Sequence, residues 1–317
     1  MTECERIIKQ GILPESFFKE EVRCGFTVTK ERKKVWAVEM DLLLEFDRVC
    51  KKHGLKYFLV GGSLLGAIRH QGFIPWDDDI DVGMMREDYE KLNQFGAEFQ
   101  TPYLFQTPHS DHDYYYSFAR LTNINTGDTN LFLFRDCCFG IHMDIFPLDN
   151  WVEEGADERF GEIDRRTRDL STWMRMNNPK LSEPDKERIK TWSGKPPMTV
   201  YNEIQKIAAQ FGNQNTEYIS VACCTQFDWK HLTWKREWFV ERIEMCFEGL
   251  AFPVPSGFDN ILSTQYGNYM EFPPVSQRGK WHQKHYTCAD IPACRFTEMC
   301  REKWGESKLE EKYNLSF

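Results

Sequence analysis

Residues 58–85 read FLVGGSLLGAIRHQGFIPWDDDIDVGMM and combine two features suited to phosphate and metal chemistry. The first is a turn of two glycines and a serine, 61–63, directly after an apolar run. The second is a run of aspartates in which one apolar residue separates Asp79 from Asp81. On a β-strand, residues two apart point to the same face and lie about 7 Å from each other. Their carboxylates would therefore repel each other unless a cation lay between them.

A hard divalent cation is the simplest partner for this pair, because Mg²⁺ in proteins takes one or two carboxylates together with phosphate oxygens. Glycine lets the backbone approach a phosphate closely, and the N–H groups at a helix N-terminus attract one. The pattern predicts a phosphate-binding turn opposite a strand that binds Mg²⁺, with Mn²⁺ as the alternative ion.

The surrounding segments predict the elements that position these residues. Apolar residues at helical spacing predict a helix over 33–53 that ends at Gly54, followed by a buried strand at 56–60. A short helix is expected at 63–70 with Ser63 as its N-cap. Alternating polarity over 79–84 predicts a second strand that carries the aspartate pair.

A third acidic residue is available from a later segment, GIHMDIF (140–146), which predicts another strand. Asp144 lies there between apolar neighbours, 63 residues after Asp81. Asp149 is a weaker candidate, because it follows Pro147 and is expected to have left the strand. An ion pair with an arginine is the alternative role for Asp144.

Simpler interpretations of the first segment remain open. Two glycines can be an ordinary turn, and the aspartates can form a solvated surface loop. A calcium-binding loop would place Asp77, Asp79, Asp81 and Asp88 at positions 1, 3, 5 and 12. Val82 then occupies position 6, where such loops have glycine, so this alternative fits poorly.

Composition limits the partners and the compartment. The net charge of −9 argues against a nucleic-acid polymer, since binding one requires a basic face. The charged N-terminus is not a secretory signal, and no apolar stretch is long enough to span a bilayer. The 11 cysteines are therefore interpreted as reduced thiols, with a structural zinc site as the less favoured alternative. These features predict a cytoplasmic protein, compatible with transient association at a membrane surface.

Residues 60–92 closely resemble the core of the LicD family of phosphotransferases, which includes the fukutin-related proteins. The later segments MDIFPLD (143–149) and FEGLAFPVPSGFDNILSTQYGNYMEFPP (247–274) resemble the same family. The resemblance implies a nucleotidyltransferase fold of the α/β (α+β) class, with a mixed sheet core and flanking helices. The division expected is a catalytic core at 1–150, a variable helical insertion at 151–237 and a part completing the active site at 238–317.

The resemblance also implies metal-dependent transfer of a phospho-alcohol from a cytidine nucleotide to a cell-surface glycan, such as lipopolysaccharide or teichoic acid, or to a glycolipid precursor. Carried over by residue, Gly61, Gly62 and Ser63 would hold the donor phosphates. Asp79, Asp81 and Asp144 would bind the metal and serve as the catalytic residues.

Basic residues near these motifs are further candidates for binding the donor. Arg69 and His70 follow at the end of the short helix, where the histidine has a second role as a C-terminal cap. Arg278, Lys280 and His282 belong to a basic cluster that would close over the leaving phosphate or lie in a solvated loop.

The expected donor is CDP-choline, with CDP-ribitol or another CDP-alcohol as the alternative. A catalytically silent homologue that binds nucleotide or glycan is a third hypothesis. It is the weakest of the three, because all three metal-binding positions are acidic.

Overall fold

The computed structural model describes residues 1–111, 114–130, 140–174, 182–192, 196–212, 214–225, 227–279, 285–296 and 298–299. The α-helices in this part of the chain are α1 (Glu3–Lys9), α2 (Lys30–His53), α3 (Gly61–His70), α4 (Arg86–Leu92), α5 (Ala156–Met174), α6 (Glu183–Trp192), α7 (Pro197–Ala208) and α8 (Phe258–Tyr266). Short 3₁₀ helices cover Glu15–Phe18, Asn93–Glu98, Trp229–Leu232, Arg236–Phe239 and Val275–Gln277.

The β-strands fall into one large sheet and three two-stranded pairs. They are β1 (Glu21–Arg23), β2 (Phe26–Val28), β3 (Phe58–Leu59), β4 (Asp81–Met85), β5 (Tyr103–Gln106), β6 (Ala119–Asn123), β7 (Gly127–Asn130), β8 (His142–Trp151), β9 (Tyr218–Ser220), β10 (Thr233–Lys235), β11 (Arg242–Phe247), β12 (Leu250–Pro255) and β13 (His285–Cys288). The two-stranded pairs are β1–β2, β7–β13 and β11–β12, all antiparallel.

The large sheet is mixed and is organised around β8. This strand is parallel to β4 and antiparallel to both β6 and β9. Beyond these neighbours, β3 pairs with β4, β5 with β6, and β10 with β9, all antiparallel. The predicted mixed α/β fold is confirmed.

Helix α2 crosses the sheet and supplies much of the main core. The hydroxyl of Thr29 accepts a hydrogen bond from the Arg32 N–H and caps its N-terminus. Gly54 ends the helix in the left-handed conformation, with φ of 63°, as the sequence predicted. One face of the helix is buried, including Trp36, Leu43 and Phe46.

The C-terminal hairpin β11–β12 turns at Glu248 and Gly249 and packs against α3. The Glu248 N–H donates to the Gln71 carbonyl at 2.9 Å, and its carboxylate accepts two hydrogen bonds from Arg23. Phe247 contacts Phe73 edge to face, with ring centroids 4.9 Å apart. The hairpin therefore fixes the turn that follows α3, next to the aspartate segment.

Helices α5 and α7 pack around a second, smaller core. This core contains Trp151 at the end of β8, together with Ile163 and Ile204 from the helices. Strands β9 and β10 lie within the range predicted as a helical insertion, yet they extend the large sheet. The proposed boundaries at 150 and 237 stay predictions. No described helix is both long and apolar enough to cross a membrane.

Candidate active site

The glycine turn forms the N-terminus of α3 and directly faces carboxylates. Gly61 has φ of +54°, a left-handed conformation that favours glycine. A Cβ on Gly61 would lie 3.1 Å from Asp81 Oδ2, and one on Gly62 would lie 2.8 Å from Asp77 Oδ2. The N-cap residue, Val60, has an apolar side chain that makes no capping hydrogen bond. The first N–H groups of α3 are thus suited to an anionic cap such as a phosphate.

Ser63 is in the first turn of α3 and is not its N-cap. The prediction was wrong because the helix begins two residues earlier, at Gly61. The Ser63 side chain is buried, and its Oγ accepts a hydrogen bond from the Asp81 N–H at 2.8 Å. It therefore fastens the start of β4 to the glycine turn. Its contact with a donor phosphate stays a prediction.

Asp81 and Asp144 occupy matched positions on the parallel neighbours β4 and β8. Register partners on adjacent strands lie about 5 Å apart and project from the same face of the sheet. The ladder continues one residue further, since the Asp144 N–H donates to the Ile80 carbonyl at 2.9 Å. These two acids, predicted from segments 63 residues apart, are brought together by strand pairing.

Asp79 lies in the loop before β4, and side chains of α2 hold that loop by hydrogen bonds. The Asp77 carbonyl accepts hydrogen bonds from Arg32 Nη1 at 2.6 Å and from Trp36 Nε1 at 2.9 Å. The predicted strand over 79–84 begins only at Asp81, so Asp79 precedes it. Asp79 belongs instead to the aspartate loop, residues 77–80, which is held by the contacts of Asp77 with α2.

Asp144 has an arginine partner in the sheet. Arg120 is its register partner on β6 and donates from Nε to Oδ1 at 2.6 Å and from Nη2 to Oδ2 at 3.3 Å. Burial lowers the pKa of Arg120, but the Asp144 carboxylate and nearby tyrosines raise it by more, to well above its usual range. The alternative considered for Asp144, an ion pair with an arginine, is therefore present at the site.

His142 lies two residues before Asp144, on the same face of β8. Its Nε2 is 3.9 Å from Asp144 Oδ1, and its Nδ1 is 3.3 Å from Asp128 Oδ2. Burial, followed by the charge of Arg120, lowers the pKa of this imidazole. The two-residue spacing was the available signal for its position, although sequence reasoning did not select it.

Glu39 is an acidic residue that the sequence reasoning missed. It belongs to α2, is 1% exposed, and its Oε2 has no hydrogen-bond partner within the described part of the chain. Burial, followed by the charges of Asp79, Asp78 and Asp77, raises its pKa well above the usual range. Its spacing from Arg32 and Trp36, i+7 and i+3, places it on the helix face that supports the aspartate loop.

Arg69 and His70 hold the loop after α8. Arg69 donates from Nη1 to the carbonyls of Tyr269, at 2.6 Å, and Glu271, at 3.1 Å. Its Nε donates to His70 Nε2 at 2.9 Å. Burial, followed by the charges of Arg69 and Arg23, lowers the pKa of His70 to about 4. The roles of both residues at a phosphate stay predictions.

Arg278 stacks on aromatic residues beside the aspartate loop. Its guanidinium lies 4.7 Å from the ring centroid of Trp76 and 5.6 Å from that of Phe272. It also donates to the carbonyls of Pro273, at 3.0 Å, and Cys24, at 3.1 Å. Lys280 and His282 lie outside the described residues, as does most of the predicted basic cluster.

Tyr266, at the end of α8, is a further site residue that the sequence did not reveal. Its ring is 41% exposed. Desolvation of the hydroxyl, followed by the charges of Asp81, Asp77 and Asp79, raises its pKa above the usual range. The hydroxyl therefore remains protonated near the acids and is a hydrogen-bond donor for an anionic ligand.

The residues present suit a hard divalent cation. The donors around the glycine turn are carboxylate oxygens, which Mg²⁺ and Mn²⁺ prefer. Without Cβ atoms at 61 and 62, a phosphate can approach the same carboxylates. Within the described residues, no three His, Cys, Asp or Glu side chains already form a metal-binding group. Mg²⁺ does not require one, because it keeps waters and phosphate oxygens as ligands.

The LicD/FKTN/FKRP nucleotidyltransferase-domain family matches residues 54–161, a range that contains the glycine turn, the aspartate loop and Asp144. Over these residues the chain is similar to the LicD family. The resemblance predicted from the sequence is confirmed, and the matched range includes β3, β4, β6 and the whole of β8.

Relatives of known activity extend the similarity beyond residues 54–161. The lipopolysaccharide cholinephosphotransferase LicD of Haemophilus influenzae is 27% identical over 261 residues, which cover 77% of this chain and 92% of that protein. The ribitol 5-phosphate transferase FKRP of human and mouse is 51% identical over 51 residues, 16% of this chain and 10% of that protein. An uncharacterised Rickettsia prowazekii protein is 34% identical over 101 residues, 38% of its length. Both named relatives are transferases, in agreement with the predicted phosphotransferase.

Proposed function

We propose that this protein transfers phosphocholine from CDP-choline to a hydroxyl of a cell-surface glycan or glycolipid precursor, in the cytoplasm, and releases CMP. The observation that carries the proposal is the Asp81–Asp144 pair beside the glycine turn of a LicD domain. The similarity to a cholinephosphotransferase over most of both chains supports the choice of donor.

The donor diphosphate would lie against the N-terminus of α3. Gly61 and Gly62 lie close to the carboxylates of Asp81 and Asp77, and the dipole of α3 favours an anion at this helix N-terminus. The Tyr266 hydroxyl is a further donor on the α8 side. These groups bind and orient the diphosphate without forming a covalent bond to it.

Asp79, Asp81 and Asp144 would hold Mg²⁺, or Mn²⁺ in its place. When bound, the ion neutralises negative charge on the diphosphate and on the leaving CMP. Ser63 and Arg120 keep the two strand acids in place, through the Asp81 N–H and the Asp144 carboxylate respectively. The protein then supplies mainly orientation and electrostatic stabilisation.

In the proposed reaction, the acceptor oxygen forms a bond to the phosphorus that carries choline. The bond between this phosphorus and the bridging oxygen breaks, and CMP leaves with that oxygen. The hydroxyl proton must be accepted as the new bond forms, and we assign this role to the Asp144 carboxylate. Attack at the other phosphorus would instead transfer the nucleotide.

Transfer of ribitol phosphate is the second candidate. The specific observation in its favour is the 51% identity to the ribitol 5-phosphate transferase FKRP over 51 residues. The two donors share CDP, so the chemistry at Asp81 and Asp144 is the same in both. They differ in the transferred alcohol, which is a quaternary ammonium for choline and an uncharged polyol for ribitol.

Release of CMP from purified protein with Mg²⁺ and candidate acceptors tests the proposal, with CDP-choline and CDP-ribitol compared in parallel. Faster release from CDP-choline is expected. Asp81→Asn should lower release about a thousandfold, since several kcal/mol of transition-state stabilisation are lost. Glu87→Gln, an exposed acid on α4, is the control and should release CMP like the parent. Release from neither donor would favour a silent homologue.

A further inference from the structure

Four polar residues stand in register across four strands of the large sheet. Asp81 on β4 is matched to Asp144 on β8, Asp144 to Arg120 on β6, and Arg120 to Gln106 on β5. Register partners project from the same face, so the four side chains form a row. Arg120 thus lies beside Asp144 on the side away from Asp81.

The guanidinium of Arg120 is fixed on several sides. It lies 3.5 Å from the ring centroid of Tyr116 and 5.8 Å from that of Phe118. The residue is 6% exposed, and both oxygens of Asp144 accept hydrogen bonds from it. Tyr116 is itself held, because its hydroxyl accepts a hydrogen bond from the Tyr115 hydroxyl at 2.7 Å. The fork of Arg120 therefore has a single well-defined place in the sheet.

This contact leaves Asp144 able to bind a cation. A carboxylate has about four lone-pair sites on its two oxygens. Arg120 occupies one site on each oxygen, and the remaining sites are available to a second positive group. Planar two-point contact also fixes the rotation of the carboxylate, which a single-point contact with a lysine does not.

We propose that Arg120 is a positioning residue of the cation site: it holds the Asp144 carboxylate beside Asp81, so that a divalent cation meets a preformed pair. The inference rests on the proposed function, in which Asp81 and Asp144 are ligands. Groups that hydrogen-bond to metal-binding carboxylates typically contribute 10- to 100-fold to metal affinity.

Two opposing effects of Arg120 can be separated by experiment. Its charge repels a cation, so removing the charge alone would strengthen cation binding. Its geometry orients Asp144, so losing the fork would weaken binding. Arg120→Lys keeps the charge and removes the fork, and therefore reports the geometric effect. If Arg120 only neutralised the charge of Asp144 in the folded protein, its substitution would change stability and leave the cation affinity unaltered.

The test is titration of the full-length protein with Mn²⁺, in the absence of donor, with free Mn²⁺ measured by electron paramagnetic resonance. Arg120→Lys should weaken binding about tenfold or more. In the Asp144→Asn background the same substitution should change affinity by less than about twofold, because the group it positions is gone.

Arg86→Lys is the matched control, since Arg86 makes the same two-point contact with Asp149 on the same strand. It should lower stability and leave Mn²⁺ affinity at the parent value. If Arg120→Lys does not fold, Tyr116→Leu keeps Arg120 and removes the aromatic ring beside its guanidinium, together with the hydroxyl that contacts Tyr115. This variant should weaken Mn²⁺ binding about threefold.

Parent-like Mn²⁺ affinity in the folded Arg120→Lys variant, or in Tyr116→Leu when it stands in, would overturn the inference and leave the proposed function standing. An undiminished loss in the Asp144→Asn background would do the same. Failure of the parent protein to bind Mn²⁺ without donor would overturn the inference, and failure to bind it with a CDP donor present would overturn both.

Discussion

Asp149 and Arg86 form a two-point ion pair, with Nε–Oδ1 and Nη2–Oδ2 distances of 2.6 and 2.7 Å, and Asp149 is 0% exposed. It follows Asp144 by five residues on β8, which continues through Pro147 to Trp151. The expectation that Asp149 had left the strand was wrong. The two aspartates of the MDIFPLD motif thus have different surroundings, since one lies beside Asp81 and the other is paired with Arg86 of α4.

Asp149→Ala should unfold more easily than the parent, by about 3–5 kcal/mol, because it leaves the Arg86 charge buried and unpaired. Urea denaturation measures the difference. The variant should keep its Mn²⁺ affinity at temperatures where it remains folded, whereas Asp144→Asn should lose affinity with a smaller change in stability. Equal loss of Mn²⁺ binding in both variants would contradict a structural role for Asp149 and a cation-binding role for Asp144.

Gly62→Ala should impair donor use without weakening the fold. The added Cβ would lie 2.8 Å from Asp77 Oδ2, in the space proposed for the diphosphate. Alanine itself favours a helix more than glycine does. The expected result is a fall in kcat/KM for the CDP donor of about tenfold or more, with an unchanged or higher Tm. Gly161→Ala in α5, where nothing lies within 4 Å of the new Cβ, is the control. Parent-like kcat/KM in Gly62→Ala would argue against a phosphate at this turn.

Glu39→Gln should stabilise the protein, and more so at pH 8 than at pH 5. The pKa of Glu39 is raised in the folded state, so above the usual value of 4.5 the unfolded chain loses this proton first. The free energy of unfolding of the parent therefore falls as pH rises from 4.5 to the folded-state pKa of Glu39. The fall is up to about 1.4 kcal/mol per pH unit. Glutamine has no ionisable proton, so Glu39→Gln removes this part of the pH dependence of stability.

Urea unfolding of parent and Glu39→Gln at the two pH values, without divalent cations, measures the effect. Glu87→Gln, an exposed acid, serves as the control and should show the same small difference at both pH values. A gain for Glu39→Gln that is equal at pH 5 and pH 8 would mean that Glu39 is ionised in the folded protein.

His70 should remain neutral in the folded protein down to about pH 5, because its pKa is about 4. Its Nε2 accepts a hydrogen bond from Arg69, so the ring proton is on Nδ1, which lies 3.6 Å from Cys24 Sγ. Burial, Arg69 and Arg23 lower this pKa, while Asp77 opposes them. The unfolded chain titrates near 6.5, so this residue makes the fold less stable as pH falls from 6.5 to about 4.

Histidine NMR over pH 4–8 checks the state of this ring, with His70→Gln used to assign its signals. The Nδ1–H tautomer should persist at pH 5.5. A midpoint close to 6.5 in the folded protein would contradict the buried contact with Arg69.

Features that depend on residues close together in the sequence were predicted correctly. The end of α2 at Gly54 and the hairpin turn at Glu248–Gly249 follow from the glycines at those positions. Alternating apolar residues marked both strands, and the approach of Asp81 and Asp144 was predicted from the family resemblance.

Features that depend on distant partners were not accessible in this way. Arg120 pairs with a residue 24 positions away, and Glu39 lies in an apolar helical segment whose contact with the aspartate loop depends on packing. Pro147 suggested a strand end. On this side of β8, pairing with β6 ends at Ile145 and pairing with β9 begins at Asp149, so neither strand requires a hydrogen bond from the Pro147 nitrogen.

The central strand β8 has a consequence for engineering chimeric enzymes from this scaffold. Its first half carries Asp144, and its last three residues pair with β9 and supply Trp151 to the smaller core. A graft that exchanges the region after residue 151 for that of another transferase must therefore also reproduce the edge complementary to 149–151. Otherwise the grafted segment could not pair with the end of β8. The chimera would then expose an unpaired strand edge, which favours aggregation.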